Sequence, residues 1–191
     1  MIDILFFVLL FNAIFQNLRI FYDTKISQNF TSAVHLIFCL TINLIFYFTN
    51  QIWIYQLGQV MTIGHYIFDI YYLLFHKDMS IMTATLIYHH IATILFIQYD
   101  PYLYLGHIVL IFAEISNIPA LFIYHYLKTD PKSSKLKFWL IMQKIFYIAI
   151  RIPFFTYLFY QIWINTHDLL AVSICGPVFL MGIIWSFKLL N

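Results

Sequence analysis

The chain has 191 residues, 63% hydrophobic and 9% charged, with 10 Lys and Arg against 8 Asp and Glu and a formal net charge of +2. A soluble domain is about 25% charged and keeps those groups on its surface. This composition therefore excludes a water-soluble enzyme, a nucleic-acid binder and a disordered segment, and leaves a polytopic membrane protein.

A hydrocarbon core of about 30 Å takes about 20 apolar residues as a helix. Seven stretches meet that length: Ile2–Tyr22, Phe30–Thr49, Ile52–Phe75, Ser80–Ile97, Tyr102–Leu127, Leu136–Ile162 and Leu169–Leu189. The first carries Asp3 where a signal peptide would carry positive charge, so it reads as a retained helix. The expected architecture is an all-α bundle, with a first transmembrane helix over 1–24 and a six-helix domain over 25–191. The third stretch is interrupted by Gln56, Gln59 and Gly64. The breaks are short and polar: Asp23-Thr24-Lys25, Asn50-Gln51, His76-Lys77-Asp78, Asp100-Pro101, the stretch from Lys128 to Lys137, and Asn165-Thr166-His167-Asp168. Cys39 and Cys175 lie within apolar stretches and read as buried thiols, not as a disulfide or zinc framework.

Lys and Arg are unevenly placed. Arg19, Lys25, Lys77, Lys128, Lys132, Lys135, Lys137 and Lys188 fall in the odd-numbered loops and the C-terminal end, and the even-numbered loops hold none. The positive-inside rule then puts the N-terminus outside or lumenal and the C-terminus in the cytosol. Asn29-Phe30-Thr31 is a glycosylation sequon that this orientation places on the cytosolic side, where it stays unmodified.

Ionisable groups within such helices are costly and usually face a bundle interior or a wet cavity. His65, Asp69, Tyr72 and His76 follow steps of four, three and four and share one face of the third helix. His89 and His90 are adjacent on the fourth, with Thr85 and Thr93 about a turn away. His107, Glu114, Asn117 and His125 lie on the fifth, and Gln143, Lys144, Tyr147 and Arg151 form a stripe on the sixth. His35 lies on the second. At a rise of 1.5 Å per residue, His89, His90, Glu114 and Arg151 fall near the midplane, and Asp69 and His35 about 8–10 Å from the cytosolic edge. Five consecutive helices thus offer polar groups around one cavity open to the cytosol. Taken singly, each group has a plain structural role: a packed His, a Glu114–Arg151 ion pair, a snorkelling Lys144. The joint pattern exceeds what packing needs.

Histidine in a dry pocket suits general-base or nucleophilic acyl-transfer chemistry, with an acid orienting the ring. The eight histidines form no HxxxH or HxxHH box, so no metal site is expected. A retinal Schiff base needs a lysine deep in the last helix, and Lys188 sits three residues from the end. Paired Gly/Pro breaks of inverted repeats, the mark of a transporter, are not apparent.

Four segments resemble, in order, landmarks of the TLC-domain family, named for TRAM, Lag and CLN proteins. They are Ser32-Ala33-Val34-His35, Gly64-His65-Tyr66-Ile67-Phe68-Asp69, Tyr88-His89-His90-Ile91-Ala92-Thr93, and Ala113-Glu114-Ile115-Ser116-Asn117-Ile118-Pro119. In ceramide synthases of that family, paired histidines serve acyl transfer from acyl-CoA to a sphingoid amine. The resemblance therefore implies catalytic roles for His89 and His90, with Asp69 as a polar cavity residue beside them. The synthases carry a His-Asp-x-x-Asp segment where this chain has Glu114 as its only acid, so the chain looks closer to the small non-synthase TLC-domain proteins. Two functions follow: a binder or regulator of membrane lipids, and a ceramide-synthase-like acyltransferase; lipid transport is a third. Asp69 or Glu114 would orient the histidine pair. His35, His65, Tyr72, Thr93, Asn117, Lys144, Tyr147 and Arg151 would contact the lipid. No bound cofactor is expected, acyl-CoA being a co-substrate of the second function. The resemblance implies the endoplasmic reticulum.

Overall fold

The structure, a computed structural model, describes residues 2–99, 103–166 and 169–190. Asp100, Pro101, His167 and Asp168, expected in loops, lie outside the described residues, as do the side chains of Cys175 and Lys188. The described residues form helices joined by short turns, and hold no strand: α1 (Ile2–Leu18), α2 (Thr24–Thr49), α3 (Ile52–His76), α4 (Ile81–Tyr99), α5 (Leu103–Thr129), α6 (Ser134–Phe146), a π turn (Tyr147–Arg151), α7 (Ile152–Thr166) and α8 (Leu169–Leu190). All seven expected stretches shift at one or both ends.

The largest shift is at α2. Its helix starts at Thr24, six residues before the expected Phe30, because Asp23 caps it: the side chain accepts from the backbone N–H of Lys25 and Ile26 at 2.8 Å each. That extra turn carries Lys25, Gln28 and Asn29. At the other end Asn50 adopts the left-handed conformation, with φ 52°, and its N–H donates to Phe46 O, closing the helix. The sequon residue Asn29 is thus helical, and its Nδ2 donates to Leu121 O at 2.9 Å. A side chain held in this way is no open acceptor, so an unmodified Asn29 no longer reports orientation.

Four segments among the described residues are long and apolar enough to cross a membrane: Thr24–Thr49, Ile81–Gln98, His107–Thr129 and Ser134–Gln161. The last is one continuous rod through the π turn. Ile152 N–H reaches back five residues to Tyr147 O there. Pro153 follows at once; it lacks an N–H, and its ring collides with the carbonyl four residues earlier, that of Ala149 within the bulge. The outer faces carry exposed Leu5, Phe6, Ile37, Phe38, Trp53 and Ile81, a distribution suited to an apolar medium.

Six rods close into a ring. α2 packs on α3, α3 on α4, α4 on α8, α8 on α7, and the α6–π–α7 rod on α5, which returns to α2. α1 lies outside the ring against α2 and α3. α3 is not among the four apolar spans; it carries the polar stripe and is enclosed by α1, α2 and α4. Gly64 explains how α1 approaches so closely. A Cβ there would lie 2.5 Å from Phe7 Cβ and 3.2 Å from Ile4 O and Val8 N. The crossing seats Phe11 and Phe15 fully buried, Phe11 edge-on to His65 with centroids 4.8 Å apart.

Gly64→Ala should therefore destabilise the protein by about 1–3 kcal/mol through overpacking. Gly176→Ala, whose Cβ would meet Phe159 at an ordinary 3.6 Å, should be near neutral. Thermal unfolding of both variants in the same detergent checks this, and equal effects would remove the close-approach explanation.

Candidate functional site

Polar faces of α2, α3, α4 and α5 meet inside the ring. They enclose a cavity of about 450 Å³ whose walls include His35, His65, Asp69, His89, His90 and Glu114. Lys25, Lys77 and Lys128 stand at one end of it. Lys77 follows α3, and Lys25 and Lys128 sit in the first turn of α2 and the last turn of α5, so the helix ends beside the odd-numbered connections converge on one mouth. His65, Asp69 and Tyr72 line the cavity as their spacing predicts. His76 lies one turn further, beside Tyr72, in a side pocket of about 280 Å³ with Arg19, Thr24 and Lys25.

Asp69 is the acid that reaches the paired histidines. His90 Nε2 lies 2.7 Å from Asp69 Oδ2, and Gln28 Nε2 donates to the other carboxylate oxygen. The His90 ring stacks on Tyr66 with centroids 4.8 Å apart, which fixes its plane. His89 and His90 have ring centroids 5.5 Å apart, and each has a buried Nδ1 with no hydrogen-bond partner. A histidine held by a carboxylate at one nitrogen and unpartnered at the other has the donor–acceptor layout of a general base.

Glu114 does something else. It is 5% exposed, and its carboxylate faces His35, with Oε1 at 3.9 Å from Nδ1. The other His35 nitrogen, Nε2, meets Thr62 Oγ1 at 3.5 Å. The His65 ring lies flat on His35, with centroids 4.0 Å apart and planes at 8°. The expected Glu114–Arg151 ion pair does not form. Arg151 instead joins its own rod to other α5 side chains: Nη1 lies 2.8 Å from Tyr147 Oη, 3.0 Å from Asn117 Oδ1 and 3.4 Å from Ser116 Oγ. Tyr147 and Arg151 are the first and last residues of the π turn.

Beyond this cavity lies a second chamber of about 90 Å³, walled by Ala92, Phe96, Leu110, Ala113, Phe159 and Phe179 among other residues of α4, α5, α7 and α8. It is apolar apart from Tyr66, His89, Thr93, Asn117 and Arg151. Tyr66, His89 and Asn117 border both spaces. The paired-histidine segment is thus the partition between a polar space with a cationic mouth and an apolar one.

Other expected contacts are not brought together. Lys144 is half-buried and lines neither chamber. Thr93, by contrast, does line the apolar chamber, with its Oγ1 bonded back to His89 O at 2.8 Å. His107 packs edge-on to Phe46, and His125 against Phe30. Gln28, Cys39, Thr62 and Tyr66 were not expected at the site. Gln28, Ser32, His35 and Cys39 follow steps of four, three and four, the same signal that marks α3, but the apolar stretch begins only at Phe30 and leaves Gln28 outside it. Comparison with family models, with curated proteins and with solved structures gives no match.

Asp69→Ala leaves the Gln28 amide and the His90 ring without their acceptor, which should destabilise the protein by about 1–3 kcal/mol. Gln28→Ala should cost less, and the Gln28→Ala/Asp69→Ala pair should be clearly less than additive. A double-mutant cycle by thermal unfolding reads this. Strict additivity would mean that the two side chains do not interact.

Proposed function

We propose that the protein is an integral membrane protein that binds one amphiphile, as a lipid binder or regulator of lipid composition. The observation that carries this reading is the pair of joined chambers. A cationic mouth of Lys25, Lys77 and Lys128 suits an anionic head group, the Asp69–His90 pair suits hydroxyl or amine groups, and the apolar chamber suits methylenes. A chain moving from bilayer to protein exchanges one apolar medium for another and gains little by transfer alone. Affinity would come from the polar end, and the small chamber would select chain shape. The resemblance to TLC-domain proteins is consistent with this, and favours the endoplasmic reticulum.

The reading includes seven crossings, α6, the π turn and α7 counting as one, with the lysine mouth cytosolic and the N-terminus lumenal. An impermeant maleimide should label Lys132→Cys from the cytosolic face of sealed vesicles. Labelling only after the lumen is opened would invert the orientation.

The His90–Asp69 contact favours a second reading, acyl transfer from acyl-CoA to a lipid amine. Here His90 or His89 would take the amine proton or the acyl group, and CoA would leave as the thiol.

One preparation tests both readings. Native mass spectrometry of the detergent-purified protein should detect a bound amphiphile, and Ala113→Leu, which fills the apolar chamber, should reduce its occupancy several-fold in folded protein. No bound or bindable amphiphile would sink the first reading. CoA release from long-chain acyl-CoA and a sphingoid base, lost in the His89→Ala/His90→Ala variant, would establish the second. Its absence in folded protein that binds lipid leaves binding as the function.

A further inference from the structure

His35, Cys39 and Glu114 form a cluster that neither lipid binding nor acyl transfer uses as a unit. α2 places His35 and Cys39 four residues apart on one face, and α5 brings Glu114 opposite. One ligand atom from each, a ring nitrogen, the Sγ and a carboxylate oxygen, lies within 4.8 Å of the other two. All three side chains are buried, at 2%, 0% and 5% exposure. No Lys or Arg lies at ion-pair distance from Glu114 among the described residues; Arg151 acts on it only from further off, its Nη1 being held by Tyr147, Asn117 and Ser116. A carboxylate enclosed in this way requires a proton or a cation.

We infer that His35, Cys39 and Glu114 form a divalent transition-metal site, with zinc as the fitting ion. One imidazole, one thiolate and one carboxylate make a donor set of mixed softness that suits zinc. Zinc bonds of about 2.0–2.3 Å in tetrahedral geometry put neighbouring ligand atoms roughly 3.4–3.6 Å apart. His35 Nδ1 and Glu114 Oε1 stand at 3.9 Å and all three ligand atoms lie within 4.8 Å of one another, so an ion would draw them together by between a few tenths of an ångström and about 1.3 Å. The outer partners of such a site are also in place. Thr62 Oγ1 meets the far nitrogen of His35, which orients the ring. Asn43 Nδ2, at 3.4 Å, and Thr62 Oγ1, at 3.7 Å, direct their hydrogens at Cys39 Sγ. Stacking on His65 holds the imidazole plane.

The direction of the vacant coordination position also follows. His35 and Glu114 line the 450 Å³ cavity, whereas Cys39 is not among its walls. Three protein ligands would therefore hold the ion at the cavity wall and leave its fourth position facing the space, the layout of zinc sites that take a water or a substrate oxygen. A His-box search passes over this set, because one of the two i, i+4 residues is Cys and the third ligand lies 75 positions further on.

The test needs no lipid, so its result is independent of the reading above. Cys175→Ser protein, which keeps Cys39 as its single thiol, is purified in detergent, stripped with chelator, and titrated with zinc and with cobalt(II). The inference expects about one ion per chain and a thiolate-to-cobalt charge-transfer absorption. Cys39→Ser in the same background should abolish that absorption, and Glu114→Gln should weaken zinc binding by more than the 10–100-fold typical of losing an outer partner. No saturable metal binding by folded Cys175→Ser protein would overturn the inference. So would cobalt binding without the thiolate band, a result that requires no variant at the cluster.

Discussion

A strongly polar side chain in an apolar surrounding must find its partner on another helix, and the ring of this protein is arranged around that requirement. Asp69 is the clearest case. Its carboxylate is satisfied by Gln28 from α2 and His90 from α4, so one side chain of α3 ties three neighbouring rods in register. Arg151 does the same on the opposite side, joining its own π turn to α5 through Asn117 and Ser116. Where apolar packing between helices supplies little driving force, such contacts also specify which helix sits next to which.

The same requirement separates the interior into two kinds of space. Polar groups collect where α2, α3, α4 and α5 converge below the lysine mouth. Phe and small apolar side chains of α4, α5, α7 and α8 are left to enclose the other chamber. The partition falls on His89, Tyr66 and Asn117, so one member of the histidine pair borders both spaces while His90 faces the polar one. Glu114 stands apart from the pair, facing His35 and Cys39. The two acids of the cavity thus serve two different clusters, Asp69 towards the histidine pair and Glu114 towards the α2 stripe.

Much of this was legible in residue spacing. The α3 stripe of His65, Asp69 and Tyr72 faces the cavity as a helical step of four and three requires. The lysine-bearing loops converge because consecutive rods alternate in direction. What was not legible was partner choice. Glu114 and Arg151 lie at matching depths, and depth alone suggests an ion pair; the guanidinium instead bonds Tyr147, Asn117 and Ser116. Gln28 was missed for a local reason. Asp23 reads as a break in an apolar pattern, yet as an N-cap it begins the helix and brings the next turn into the ring.

The sequence by itself determined that the chain is helical, that its helices are apolar on their outward faces, roughly where they lie, and which faces of most of them carry polar groups. These properties depend on composition, capping and periodicity within one segment. Only the tertiary structure decided that α5 returns to α2, that α4 hands on to α8, and that Gly64 admits α1 against α3. It alone brought His35, Cys39 and Glu114 within reach of one ion. Contacts between distant segments depend on how each rod is rotated and which neighbour it meets, and a helical repeat fixes neither.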